Sequence, residues 1–205
     1  MTGQLIYRDN NITNNNKDVF VPNKFTHIIF NLDHNAKLYY NDVRQFGWIK
    51  ILPAKQIKDI TFFKNLGPEF LKDLDLTTFK EIISKYKTPI KILIMDQGKM
   101  AGLGNIYAND ALYLAKINPK KPANTLSDNE KDNLFIAIKK VLDKGIKENG
   151  SSEVDFVNAI GNKGNYQNHT LIYGKDGQKC KICGSTILKT ALGGRGTYYC
   201  PICQK

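Results

Sequence analysis

Four cysteines near the end of the chain constrain it more than any other feature. Cys180-Lys181-Ile182-Cys183 and Cys200-Pro201-Ile202-Cys203 form C-x2-C, sixteen residues, C-x2-C. Each pair folds as a tight knuckle that turns two thiolates toward one tetrahedral ion, and the segment between them is long enough for a hairpin that brings the knuckles together. All four ligands are then protein and no coordination position is left for water, so the pattern reads as one structural Zn2+, not a catalytic one. Two disulfides are the alternative reading. The N-terminus (Met1-Thr2-Gly3-Gln4) has no basic-then-apolar leader, so a cytoplasmic location is expected, where thiols stay reduced and the metal is favoured. The ion would fold a segment too short to hold a core of its own.

Between the knuckles, Thr186–Lys189 and Thr197–Tyr199 are expected to pair as strands, with Ala191–Gly196 as the loop and Arg195 at its tip among three glycines. Glycine on both sides permits close approach to another molecule, and a guanidinium there suits bidentate contact with a phosphate. An ordinary solvated arginine on a turn is the plainer alternative. The charge balance bears on the choice. The chain carries 30 Lys+Arg against 19 Asp+Glu, a net +11. Residues 163–205 hold seven of those basic residues against one acidic, whereas 68–162 are nearly balanced at fourteen against thirteen. A positive end beside a metal motif makes a polyanion a better partner than a cationic surface. No run approaches the roughly 18 apolar residues of a spanning helix.

Three stretches differ in period. Residues 1–67 read as β: Phe25–Leu32 is apolar and β-branched, Asp33–Ala36 supplies turn formers, and Lys37–Tyr40 returns as a hairpin. Asn10–Asn16 is almost wholly polar and is expected to be an exposed loop. Residues 68–162 read as helical, from Leu71–Leu74 and Thr77–Ile83 onward. Ser127 with Glu130 forms a capping box, followed by an apolar stripe of Leu134, Ile138, Val141, Leu142 and Ile146 that Gly150 closes. Ser152 with Asp155 is expected to start another short helix. Residues 163–205 are short strands and turns around the cysteines. The expected fold class is α+β, with a β portion followed by a helical portion carrying a small zinc module.

A second motif lies in the helical part. Lys91–Leu112 joins a short apolar segment to an amphipathic helix through a turn containing Gly98, Gly102 and Gly104. Amides at a helix start exposed by glycine make a site for one phosphate, with Asn105 placed to add a side-chain donor. A glycine cap followed by a new helix is the alternative. A nucleotide-binding loop is excluded, because no Lys-Ser/Thr pair follows.

Together these residues resemble the formamidopyrimidine-DNA glycosylase and endonuclease VIII family, most closely its formamidopyrimidine-DNA glycosylase branch. The resemblance runs through Met1-Thr2-Gly3-Gln4-Leu5, Asp42-Val43-Arg44-Gln45-Phe46-Gly47, Leu66-Gly67-Pro68-Glu69, the Met95–Ala111 stretch, Leu171-Ile172-Tyr173-Gly174 and Gly193-Gly194-Arg195-Gly196-Thr197. It implies a remnant of an N-terminal β-sandwich (1–67), a helix-two-turn-helix DNA-binding domain (68–162), and a lid segment with a zinc-finger β-hairpin (163–205). It also implies that Asn105 and Arg195 clamp the phosphates flanking a lesion in double-stranded DNA and that Lys91 is an additional phosphate contact. Met1, Arg44 and Phe46 resemble the trio that enters the duplex when the damaged nucleotide is extruded. Unstacking a base costs a few kcal/mol, which an apolar wedge and an arginine on the orphaned base can offset. On pattern alone Phe46 also reads as a buried β residue and Arg44 as a solvated loop charge. Gly161–Gln167 resembles the mobile lid that reads the flipped base.

The resemblance implies base-excision repair by a glycosylase with apurinic/apyrimidinic lyase activity on oxidised purines. The family's proline nucleophile, the glutamate beside it and a lysine on a later strand match no residue of this sequence. No catalytic residue is therefore expected within it, and a non-catalytic damaged-DNA-binding fragment is the alternative. A start assigned too far downstream or a broken gene would each account for the difference. A zinc ribbon of RNA or ribosome assembly is a competing class, though no aromatic RNA-binding signature appears. A monomer is expected.

Overall fold

The structure is a computed structural model and describes residues 2–9, 19–153 and 156–205. Met1, the Asn10–Asn16 run and Asp155 lie outside the described residues. The chain forms two compact units, residues 1–52 with 145–169, and residues 53–144 with 170–205. These units cut the chain elsewhere than the sequence boundaries at 67 and 162, because packing need not follow periodicity.

The first unit is built on a three-stranded antiparallel sheet of β1 (Gly3–Arg8), β2 (Thr26–Asn31) and β3 (Lys37–Asp42), in the order β1-β3-β2. The expected hairpin is β2–β3. His34 and Asn35 turn it with φ of 57° and 59°, a left-handed region that asparagine tolerates better than most residues. Strand alternation puts Ile6 and Tyr39 on one face, where they pack with Val21 and Val157. Arg8 follows Ile6 onto that face and is satisfied by three carbonyls, those of Tyr7 at 2.8 Å, Val19 at 3.1 Å and Ile160 at 3.2 Å. The β reading does not extend to residue 67: from residue 43 to 67 the described chain has no strand, only a 3-10 turn at Ala54–Asp59 and the short helix α1 (Thr61–Lys64). Pro53 and the unalternating Lys55–Asp59 run give no sheet face to bury.

The second unit holds α2 (Leu76–Lys85), α3 (Ile90–Ile94), α4 (Asn105–Leu114) and most of α5 (Asp128–Lys147). Leu71–Asp73 forms turns and not a helix, and α2 starts later, where the Asp75 carboxylate accepts the Thr78 amide at 2.7 Å. The capping box of α5 forms as expected: the Ser127 amide donates to Glu130 Oε2 at 2.8 Å, and the Glu130 amide to Ser127 Oγ at 3.3 Å. Leu134, Ile138, Val141 and Leu142 are buried with Phe79, Ile83, Ile90, Ile94 and Leu112. Ile146 departs from the expected stripe and is exposed, since the last turn of α5 runs past this core.

After α5 the chain turns through Asn149 and Gly150, with φ of 57° and 85°. No helix is present in the described residues between 151 and 165. Ser152 is used otherwise: its hydroxyl donates to the Phe156 carbonyl and accepts the Gly164 amide at 2.8 Å. The Gly161–Gln167 segment is tied by the Asn165 amide to Glu148 O at 2.8 Å and by the Tyr166 amide to Gly150 O at 2.9 Å. No helix of the described residues is long and apolar enough to cross a membrane.

Candidate metal centre and nucleic-acid interface

The four cysteine Sγ atoms lie within 4.8 Å of one another. Cys180 and Cys203 are 3.9 Å apart, and Cys183 and Cys200 3.5 Å. Ligand sulfurs about 2.3 Å from a tetrahedral zinc stand about 3.8 Å apart, and a disulfide holds them at about 2.05 Å. The donor set and its spacing fit zinc and not the disulfide alternative. The surrounding groups suit thiolates as well. The Ile182 amide points at Cys180 Sγ and the Cys203 amide at Cys200 Sγ, both at 3.4 Å. Ser185 Oγ lies 3.0 Å from the sulfurs of Cys183 and Cys200, and the Tyr113 hydroxyl 3.3 Å from Cys180. Burial, then the adjacent Cys180, raises the Tyr113 pKa, so the phenol keeps its proton.

Between the knuckles, β4 (Leu188–Leu192) and β5 (Arg195–Tyr199) pair antiparallel with Leu192 opposite Arg195. The strands run further than expected, and the loop shrinks to Gly193 and Gly194. Their φ values of 57° and 70° are those of a two-residue I′ turn, which only a pair such as Gly-Gly takes without strain. Thr186 and Ile187 pair elsewhere: Ile187 N donates to Gln178 O at 2.9 Å, and Gly177 N to Ile187 O at 3.0 Å. Arg195 is exposed at the start of β5. Lys91, on α3, is 1% exposed, and its ammonium donates to Gly196 O and Thr197 Oγ1, each at 2.8 Å. Burial, and then the charge of Arg195, lowers its pKa to about 8. Lys91 therefore props the hairpin from beneath.

The glycine turn before α4 is fastened by a residue that sequence reasoning missed. Gln97 accepts the Gly102 amide at 3.0 Å and donates to Leu103 O at 3.1 Å. Gly102 has φ +99° and requires glycine. Gly104 does not need its freedom; instead, a side chain there would face open space. Gly104 caps α4 without a side-chain bond, so the first turn that Asn105 opens has no side-chain cap. The helix itself is not amphipathic as expected, because every residue from Ala108 to Tyr113 is buried. Ala108, Ala111 and Leu112 face the helical core, whereas Asn109, Asp110 and Tyr113 serve the zinc module.

In the first unit, Asp42 organises the segment that carries Arg44 and Phe46. Its carboxylate accepts the amides of Gly47 at 2.8 Å and Arg44 at 3.2 Å, together with the hydroxyls of Thr2 and Tyr40. The Thr2 bond foremost, then the two amides and Tyr40, hold its pKa near 2 against the opposing effect of burial. Gln45 takes φ +55°, and a Cβ on Gly47 would meet the Tyr40 hydroxyl at 1.5 Å. The loop thus lifts Phe46 to 79% exposure with the Arg44 guanidinium 5.3 Å from its ring, which rejects the buried-strand alternative for Phe46.

Comparison with protein families matches residues 66–156 to the formamidopyrimidine-DNA glycosylase H2TH domain and residues 177–205 to a zinc finger found in FPG and IleRS. The formamidopyrimidine-DNA glycosylase of Pelotomaculum thermopropionicum is 40% identical over 206 residues, covering 100% of this chain and 72% of that protein. That of Rickettsia bellii matches at the same identity and coverage. The solved complex of Lactococcus lactis Fpg with DNA containing an abasic site superimposes with a TM-score of 0.85 at 35% identity, covering 100% of this chain and 72% of that one.

The chain belongs to the formamidopyrimidine-DNA glycosylase family.

The metal centre lies in the stretch matched to the zinc finger, and α4 lies in the stretch matched to the H2TH domain. The residues that sequence reading missed are the buried polar ties between them. Asp110 accepts the amides of Leu171, Ile172 and Tyr173 at 2.9–3.1 Å, which explains the Leu171–Gly174 motif: a fully buried carboxylate exchanges water for three backbone donors. Gln204 accepts the Cys200 amide and donates to Ile117 O, locking the second knuckle to the chain after α4. The adjacent polar pair Asn109-Asp110 inside an otherwise apolar helix was the available signal.

Proposed function

We propose that this chain grips damaged double-stranded DNA in base-excision repair, taking the sugar-phosphate backbone at α4 and at the zinc hairpin. The observation that carries the reading is the pairing of an uncapped first turn beside Asn105 with the exposed guanidinium of Arg195. One is a neutral anion site and the other a charged bidentate donor, and two phosphates of one strand suit them. The solved relatives bound to lesion-containing DNA support it.

Lys91 adds positive charge beneath the hairpin. Phe46 serves as the wedge that fills the stack when a nucleotide leaves, Arg44 bonds the orphaned partner base, and Met1 completes that trio. Gly161–Gln167 offers backbone amides to the extruded base. The zinc is structural: it closes the knuckles and so fixes the turn that presents Arg195. Excision of oxidised purines is the reaction this grip serves, and no residue of this chain is assigned to the bond-breaking step. The setting is cytoplasmic and the chain monomeric, which sedimentation at 23.2 kDa checks.

Competition anisotropy with zinc-loaded protein tests the reading. A duplex carrying a tetrahydrofuran abasic analogue should displace an intact duplex, and Phe46→Ala should narrow the preference between the two. Equal affinity for both duplexes, unchanged by Phe46→Ala, would refute the lesion-directed part; no affinity for either would refute the whole.

A further inference from the structure

Asn109 is 1% exposed and lies one helical turn from Asn105 on α4. Its carboxamide is used at both ends. Oδ1 accepts the Tyr198 amide of β5 at 2.8 Å. Nδ2 donates to Asn105 O at 2.8 Å, approaches Asn105 Oδ1 at 3.3 Å and reaches Gly196 O, next to Arg195, at 3.4 Å. The Tyr198 amide can only donate and the Asn105 carbonyl can only accept, which fixes the orientation of the group. A neutral amide meets both demands; an ammonium could not accept and a carboxylate could not donate.

We propose that Asn109 is the positioning residue that sets the spacing of the two phosphate contacts, by tying the first residue of α4 to the backbone beside Arg195. The inference rests on the reading of Asn105 and Arg195 given above and adds the element that makes them act as a pair. Lys91 holds the same Gly196 carbonyl from α3 at 2.8 Å, but it does not reach Asn105, so it steadies the hairpin without measuring its distance from the helix. Two contacts fixed at one phosphate spacing bind with less loss of freedom than two that must each be ordered.

The test is a double-mutant cycle on zinc-loaded protein, read by anisotropy on a duplex with a tetrahydrofuran site. Asn109→Leu, close in size and without hydrogen bonds, should weaken binding about tenfold in the unaltered chain, and less than about twofold in the Asn105→Ala/Arg195→Ala background, with one zinc per chain retained throughout. A purely structural role would weaken both backgrounds alike, and that result, or no weakening at all, overturns the proposal. If Asn109→Leu does not retain zinc, Asn109→Ala enters the same cycle. Exchange of the Asn109 side-chain amide protons in the unaltered chain gives an independent reading: it should slow on adding the duplex, and unchanged exchange in the bound state would overturn the proposal as well. Absence of any binding by the unaltered chain would instead sink the underlying functional reading, and this inference with it.

Discussion

The two units hold the side chains proposed to meet DNA by different means. In the second, a buried core of twenty residues, a metal centre and the polar side chains of α4 converge behind Asn105 and Arg195. In the first, the buried apolar cluster among the described residues is that of Ile6, Val21, Tyr39 and Val157, and the segment carrying Arg44 and Phe46 depends on the hydrogen bonds of Asp42. A contact that must match a fixed phosphate spacing gains from a rigid base. The wedge proposed for Phe46 need only be lifted into solvent on a turn of the right shape, and a small sheet with one organising carboxylate does that.

Removing the metal should break this comparison most severely. Structural zinc contributes about 10–16 kcal/mol in small modules. Chelation, or Cys200→Ser, should unfold residues 177–205 and abolish duplex binding, while amide NMR signals of β1–β3 keep their dispersion. Loss of the sheet signals together with the hairpin would show that the units do not stand on separate supports.

Core substitutions should separate the units next. Phe79→Ala should cost about 3–5 kcal/mol and Ile6→Ala about 2–5 kcal/mol, both from buried positions. By hydrogen exchange, Ile6→Ala should release protection only in the first unit, with α2–α5 protected as before. Global loss of protection would mean that the small cluster supports the whole chain.

Lys91 gives a smaller and pH-dependent effect. Its folded pKa of about 8 lies below its ordinary 10.5, so the buried charge burdens the fold at neutral pH. Between these values the folded chain has released a proton that the unfolded chain still holds, and stability rises with pH, by up to about 3 kcal/mol. Denaturant unfolding from pH 7 to 10 should show that rise, and Lys91→Met should flatten it. A parallel rise in the variant would remove Lys91 as its source.

Local spacing made much of this molecule legible before its structure. The cysteine pattern, the Ser127–Glu130 capping box, the β2–β3 hairpin and the Gly102–Asn105 start of α4 are each written within a few residues of sequence, and each is present. Features set by distant partners were not legible. The resemblance makes Lys91 an additional phosphate contact, but the structure buries it, with its ammonium bonded to Gly196 and Thr197 more than a hundred residues on. The partners of Asn109 and Asp110 also lie on the far side of the chain, so a helix that looked amphipathic is buried on both faces. The β reading of residues 1–67 outruns the hairpin, whose second strand ends at Asp42. Thr186–Ile187 pairs with Gly177–Lys179 and not with β5, a choice made by the fold of the first knuckle.

The most direct test of the account is the salt dependence of binding to the abasic duplex, measured for the zinc-loaded chain and its Arg195→Ala variant. A backbone grip predicts a linear fall of log K with log salt, with a slope about one unit shallower for the variant, the signature of one lost phosphate contact. Identical slopes for the two proteins, or affinity that does not change with salt, would contradict it.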